Sequence, residues 1–349
     1  MRGLYIHIPF CAKKCPYCDF YSLPLSLQKA EEYKNAVIRN LSRYKEKFDT
    51  VYFGGGTPTL IFDKIAEILS EVDLEENAEI TIECNPESAG EEVLSELKRA
   101  GANRLSFGVQ SLDERELSAL GRTHSAKAAK ESILLAYKLG FENISADLML
   151  GVPNQTPDSL EKTIDELCRL PITHVSAYLL KIEPNTVFGK NPREISDMLP
   201  DEDMQAELYL SAVELLEKHG FMQYEISNFA KPGFESLHNL KYWRAEEYVG
   251  IGPSAHSYYE GWRFAVPKNL AKFLDNEFQL KEITDFSPDK DEEKILLGLR
   301  LCEGIVLSEK IKRRLILIPK EYYMIINGRF SLTPRGFLVS NEIIATLLK

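Results

Sequence analysis

The sequence predicts an α/β fold, a partial (β/α)6 TIM-like barrel followed by a small, mainly helical C-terminal domain. Three observations carry this expectation. Short β-rich runs alternate with amphipathic helical patterns through the first half of the chain, which implies a parallel sheet. Polar residues and glycines sit at the C-terminal ends of successive runs: Gly54 to Gly56, Glu83, Gln110 and Asp147. A barrel builds its site from those ends, with several strands contributing. A doubly wound sheet would also fit the alternation, and the shared polar ends favour the barrel. After about Pro184 the alternation fails.

The expected strands are LYIHIPF from Leu4, TVYFGG from Thr50, EITIECNP from Glu79, NRLSFGVQS from Asn103, NISADLMLG from Asn143 and HVSAYLLKIEP from His174. The helical patterns between them include SLQKAEEYKNAVIRNLSRYK, FDKIAEILSEV, GEEVLSELKRAG, AKAAKESILLAYKLG and PDSLEKTIDELCRL. Gly101 and Gly140 stand where a helix C-cap is expected. Beyond the alternating half come a helix, DEDMQAELYLSAVELLEKHG, and an aromatic, glycine-rich stretch. From about Pro288 a small appended unit opens with a helix, DEEKILLGLRL, and ends as strand, turn and helix. The expected division is residues 1–185, 186–287 and 288–349.

A length of 349 residues suits one large domain plus a smaller one. Hydrophobic residues make up 44% and charged residues 27%, ordinary for a soluble globular protein. The net charge of −11 argues against a phosphate-backbone binder, so no nucleic-acid partner is expected. The short N-terminal apolar run is followed by lysines and reads as neither a signal peptide nor a membrane span. No transmembrane segment is expected, and the cytoplasm is the expected location.

Six cysteines are too sparse for a disulfide scaffold, yet three crowd into eight residues, Cys11, Cys15 and Cys18. Cys84, Cys168 and Cys302 read as packing residues. Three thiolates on one short loop can hold one face of a cubane iron–sulfur cluster, leaving one iron open for a ligand. The alternative is structural zinc with His7 or Asp19 as the fourth ligand.

CxxxCxxC after a first strand resembles the radical S-adenosylmethionine (SAM) superfamily. Tyr5-Ile-His7-Ile-Pro-Phe-Cys11, Gly54-Gly-Gly-Thr57-Pro-Thr, Phe107-Gly-Val-Gln110-Ser, Gly121-Arg122-Thr-His and Asp147-Leu-Met-Leu-Gly-Val-Pro are similar to the oxygen-independent coproporphyrinogen III oxidase-like family. The resemblance implies a barrel of the radical SAM type. It also implies a [4Fe–4S] cluster on Cys11, Cys15 and Cys18 that binds SAM at its open iron and cleaves it to a 5′-deoxyadenosyl radical. Further SAM contacts are implied for Tyr5, Tyr17, Gly55, Gly56, Thr57, Glu83, Gln110, Arg122 and Asp147. Tyr5 and His7, the implied catalytic pair, would lie over the cluster or near the substrate, although His7 alone also reads as a core histidine.

Phe20 departs from the oxidase pattern, which is similar to CxxxCxxCxC. CxxxCxxCxF resembles instead the heme-chaperone subgroup, HemW. So does His238-Asn239-Leu-Lys-Tyr242-Trp243, an HNxxYW signature. On a helix His238 and Tyr242 share a face. The resemblance implies heme held by His238, Asn239, Tyr242 and Trp243, with His238 on the iron. The alternatives are that His238 caps or packs a helix, or that His256 takes the role. Three functions follow: a chaperone handing heme to acceptor proteins such as membrane respiratory enzymes, a coproporphyrinogen III dehydrogenase, or a radical SAM enzyme with another substrate. Each needs an electron donor. The C-terminal unit is similar to the small helical domain of the family. A winged-helix reading would put Lys310, Lys312, Arg313 and Arg314 on DNA, but a short basic run on an acidic chain is usually a solvated face.

Overall fold

The computed structural model describes residues 1–349, the side chain of Glu194 excepted. Six parallel strands form the barrel wall: β1 (Arg2–Ile8), β2 (Phe48–Gly55), β3 (Leu74–Cys84), β4 (Arg104–Gln110), β5 (Asn143–Leu150) and β6 (His174–Leu179). All six expected strands are present. Helices α1 (Leu27–Leu41), α2 (Phe62–Ser70), α3 (Glu91–Arg99), α4 (Ala126–Lys138) and α5 (Pro157–Leu167) connect them in order. Strand alternation sorts the side chains. Leu4, Ile6, Val51, Phe53, Ile80, Ile82, Leu105, Phe107, Ile144 and Val175 are buried in the core cluster, packed with the helices. Alternate positions, among them Tyr52, Glu83, Arg104, Ser106, Asp147 and Ser176, face the interior and line one cavity.

The sheet does not stop at six strands. After α6 (Glu202–Lys218) come β7 (Met222–Gln223) and β8 (Asn228–Ala230), and β8 pairs antiparallel with β6. Next is α7 (Leu237–Trp243), followed by β9 (Tyr248–Ile251), which pairs parallel with β1. Strands β10 (His256–Tyr259), β11 (Trp262–Ala265) and β12 (Glu282–Asp285) continue that edge, so one twelve-stranded sheet runs through the molecule. The aromatic stretch, unassigned from sequence, is thus sheet extension plus one short helix.

The C-terminal segment has helices α8 (Lys290–Gly298), α9 (Glu309–Arg314), α10 (Pro334–Leu338) and α11 (Ser340–Leu348). It also holds a three-stranded antiparallel sheet of β13 (Ile305–Val306), β14 (Tyr323–Ile326) and β15 (Arg329–Leu332). The helical expectation did not include this sheet. The run YYMIINGRF makes its hairpin, with Asn327 and Gly328 at positive φ in the turn, which explains why the segment does not read as helix. Among the described residues, no helix is long and apolar enough to cross a membrane.

Candidate functional site

The C-terminal ends of the strands open onto one cavity of about 340 Å3, whose lining includes Cys11, Cys15, Cys18, Tyr17 and Phe20 from the loop after β1. That loop is pinned to the glycine turn after β2. Gly56 N–H donates to the Ile8 carbonyl (2.7 Å) and Thr57 N–H to the Phe10 carbonyl (2.7 Å). A Cβ on Gly56 would stand 2.4 Å from the Phe10 oxygen, and one on Gly55 would stand 2.4 Å from His7 Cε1. Gly55 also needs its φ of +108°. The glycines are therefore what lets the cysteine loop lie against the barrel rim. The Gly55 N–H is spent on Glu83, and those of Gly56 and Thr57 on the Ile8 and Phe10 carbonyls, so carbonyls are what the turn has left to offer an amino group.

Two of the three thiols have donors beside them. Thr57 Oγ1 lies 3.7 Å from Cys11 Sγ, and Arg122 Nη1 lies 3.5 Å from Cys15 Sγ. Among the described residues, no three His, Cys, Asp or Glu side chains converge as they would around a single metal ion. His7 does not suit the zinc alternative, because both its ring nitrogens are engaged, by Tyr5 Oη (3.0 Å) and the Tyr21 carbonyl (2.8 Å). Three thiols on one loop at the wall of a deep cavity fit a cubane cluster with an open iron.

Below the loop stands a ring of buried polar groups. Glu83 accepts from Tyr52 Oη (2.9 Å) and Gly55 N–H (3.0 Å). Burial, and then the nearby Asp147, push its carboxyl up to about 7. Asp147 accepts from Ser106 Oγ (3.0 Å) and is itself raised by burial. Arg122 donates to Asn85 Oδ1 (2.7 Å) and the Gly108 carbonyl (3.1 Å), and its Nε is left without a partner. Gln110 takes a φ of +68° as it enters the cavity wall. Tyr17, Gly55, Gly56, Thr57, Glu83, Gln110, Arg122 and Asp147 thus share one cavity.

Two groups of expected site residues are not placed there. Tyr5 and His7 do not line the cavity. They bond to each other behind the glycine turn, and burial holds the His7 imidazole down at about 4, hence neutral. His238 is not poised as a heme ligand. It is 1% exposed, with Nδ1 on Thr50 Oγ1 (2.8 Å) and Nε2 on Tyr242 Oη (2.8 Å). Burial holds its imidazole at about 3. Glu79 accepts the backbone N–H of Leu237 (3.1 Å) and His238 (3.0 Å), so α7 is docked as a plug under the barrel. The arrangement does not fit heme at His238, and the packing reading of the motif is the one the geometry supports. Tyr242 and Trp243 also miss the cavity, whereas Asn239 lines it. His256 is exposed on β10 and is not part of the cavity either.

Sequence reasoning missed Tyr52, Asn85, Arg104, Ser106, Ser176 and Tyr178, all of which line the cavity. The signal was present for all but Tyr52: each of the others lies two residues from another cavity residue on its strand or strand end, the period of one face.

Residues 5–167 match the radical SAM superfamily. The heme chaperone HemW of Bacillus subtilis is 37% identical, in an alignment covering 100% of this chain and 99% of that protein. The heme chaperone HemW of Lactococcus lactis is 34% identical over 99% of this chain and 97% of its own length. The chain belongs to the HemW family of radical SAM proteins. The coproporphyrinogen III oxidase HemN of Escherichia coli shares the fold, with a TM-score of 0.83 at 21% identity over 99% of this chain and 89% of that one. Membership in the radical SAM superfamily brings a [4Fe–4S] cluster and SAM as cofactors, in agreement with the cysteine loop.

Proposed function

We propose that this protein is a heme-binding chaperone that passes heme to acceptor proteins, membrane respiratory enzymes among them, in the cytoplasm. The full-length likeness to proteins named heme chaperones carries this reading. Phe20 supports it: it lines the cavity mouth at the position where the oxidase-like pattern has a fourth cysteine. Cys11, Cys15 and Cys18 hold the cluster. Bound there with SAM, it supplies reductive cleavage of the sulfonium, fed by an electron donor. Glu83 accepts hydrogen bonds from ribose hydroxyls, the glycine-turn carbonyls accept from the amino group, and Arg122 donates to the carboxylate. Gln110 and Asp147 hold the remaining polar groups, and Tyr17 lies against the adenine. His256, exposed on β10, is the remaining histidine of the sequence reading that would be free to ligate heme iron.

The test offers heme and coproporphyrinogen III side by side to the anaerobically reconstituted protein. A red-shifted Soret band without conversion of coproporphyrinogen is expected. Protoporphyrinogen formed with matching 5′-deoxyadenosine would reverse the reading in favour of the dehydrogenase.

A further inference from the structure

Among the described residues, buried cations come with partners, with one exception. Lys34 pairs with Glu31 and Glu67 (both 2.6 Å), and Lys241 with Asp49 (2.8 Å) and Glu246 (3.2 Å). Arg122 donates to Asn85 and the Gly108 carbonyl. Arg104 is 1% exposed and lines the cavity from the start of β4. Its Nε has no partner, and no described residue forms an ion pair or side-chain hydrogen bond with its guanidinium. The two acids of the cavity feel its charge but neither forms an ion pair or hydrogen bond with it. Glu83 is taken by Tyr52 and Gly55, and Asp147 by Ser106. An uncompensated buried charge costs several kcal/mol, so a fold that keeps one inside a ligand cavity leaves it for something that binds there. Asn239, the one residue of the HNxxYW motif that reaches the cavity, brings an amide to the same space.

We propose that the cavity has a second ligand site, selective for carboxylate, in which Arg104 is the anion receptor and Asn239 a second donor. The charges argue for an anion. SAM placed as proposed above would set its carboxylate against Arg122 and its ribose against Glu83, and would offer Arg104 no anion. Arg104 is then the buried cation still without a direct ion-pair partner. A planar guanidinium presents paired N–H donors that match a carboxylate. The site stands on the cavity geometry. Identifying the carboxylate as a porphyrin propionate rests on the heme reading.

The experiment uses the cluster-loaded protein with saturating SAM. It compares metal-free mesoporphyrin IX, which has no iron to ligate, with its dimethyl ester. The diacid should bind roughly tenfold to hundredfold tighter than the diester. Arg104→Gln should abolish that preference and Arg104→Lys should keep part of it. The ratio of two ligands on one variant is insensitive to a partial loss of folded protein. Equal affinities in the unmodified protein, or a preference that survives Arg104→Gln, would overturn the site. If neither porphyrin binds, the heme reading fails, and propionate decides the site alone. The Arg104 Nε–H resonance, assigned by its loss in Arg104→Lys, should then shift with propionate but not with chloride at equal ionic strength. No such shift would overturn the proposal.

Discussion

The mouth and the floor of the barrel both look like cofactor sites in the sequence, and they are built in opposite ways. At the mouth, three thiols, two acids and Arg122 share open space, and several polar atoms are under-used. At the floor, His238 has both nitrogens bonded, Glu79 caps its helix and Lys241 is doubly paired. A histidine with every hydrogen-bonding capacity filled inside a barrel stabilises the fold. A thiol, carboxylate or guanidinium facing a cavity with capacity to spare binds something. Satisfaction, more than residue type, separates the two regions.

The largest expected effect is at the mouth. Replacing any one of Cys11, Cys15 or Cys18 by Ala should abolish the cluster, since a cubane with two protein ligands is poorly held. Iron and sulfide analysis after anaerobic reconstitution measures this, with about four irons per chain expected in the unmodified protein. Tightly bound zinc without sulfide would remove the cluster from the mouth altogether.

The floor should answer differently. His238→Ala strands the hydroxyls of Thr50 and Tyr242 and leaves a hole beneath the barrel, so it should cost about 2–4 kcal/mol of stability. Cluster content should hold, and a heme Soret band, where present, should not move. Chemical denaturation and heme titration of the same variant give both numbers. A Soret band lost at unchanged stability would make the floor a heme site and end the contrast.

The difference in construction also explains what the sequence could and could not disclose. The six barrel strands were legible because each is a long run with an apolar outward face, as in Leu4, Ile6 and Ile8. Glu83 and Asp147 were legible as site residues because they interrupt such runs at their ends. Strand β9 was not: four residues, Tyr248–Ile251, in glycine-rich sequence carry too little periodicity, and its pairing with β1 spans most of the chain. The helical spacing of His238 and Tyr242 was read correctly, and the two side chains do touch. Which way that face points is set by Glu79, more than 150 residues away in sequence, and no local pattern records it. Arg104 was passed over because a lone arginine at a strand start ordinarily faces solvent.

A smaller effect sharpens the mouth itself. Glu83→Gln or Asp147→Asn should weaken SAM binding roughly tenfold to hundredfold, the worth of a charge-assisted hydrogen bond of about 1.5–3 kcal/mol. Neither is a metal ligand, so cluster content should be unaffected. Titration of the reconstituted variants with SAM measures it, and unchanged affinity in both would take them out of the site.

The smallest effect is in the pH dependence, and it ties the stability of the mouth to its use. Glu83 has its carboxyl raised from about 4.5 to about 7 by burial and by Asp147. Between those values the folded protein holds a proton that the unfolded chain releases. Stability therefore falls as pH rises through that window, the reverse of an acid that folding pairs with a cation. Glu83→Gln cannot lose that proton, so its stability should stay flatter over the same range. SAM should follow the opposite slope, because ribose hydroxyls donate best to the ionised carboxylate. Its affinity should rise roughly tenfold from pH 6 to pH 8, as one proton is released. Glu83→Gln should bind weakly with no such rise. If SAM affinity in the unmodified protein is flat across neutral pH, Glu83 is already ionised in the cavity. In that case Arg104, whose charge lowers the Glu83 carboxyl, offsets burial and Asp147 more strongly than a carboxyl at about 7 implies.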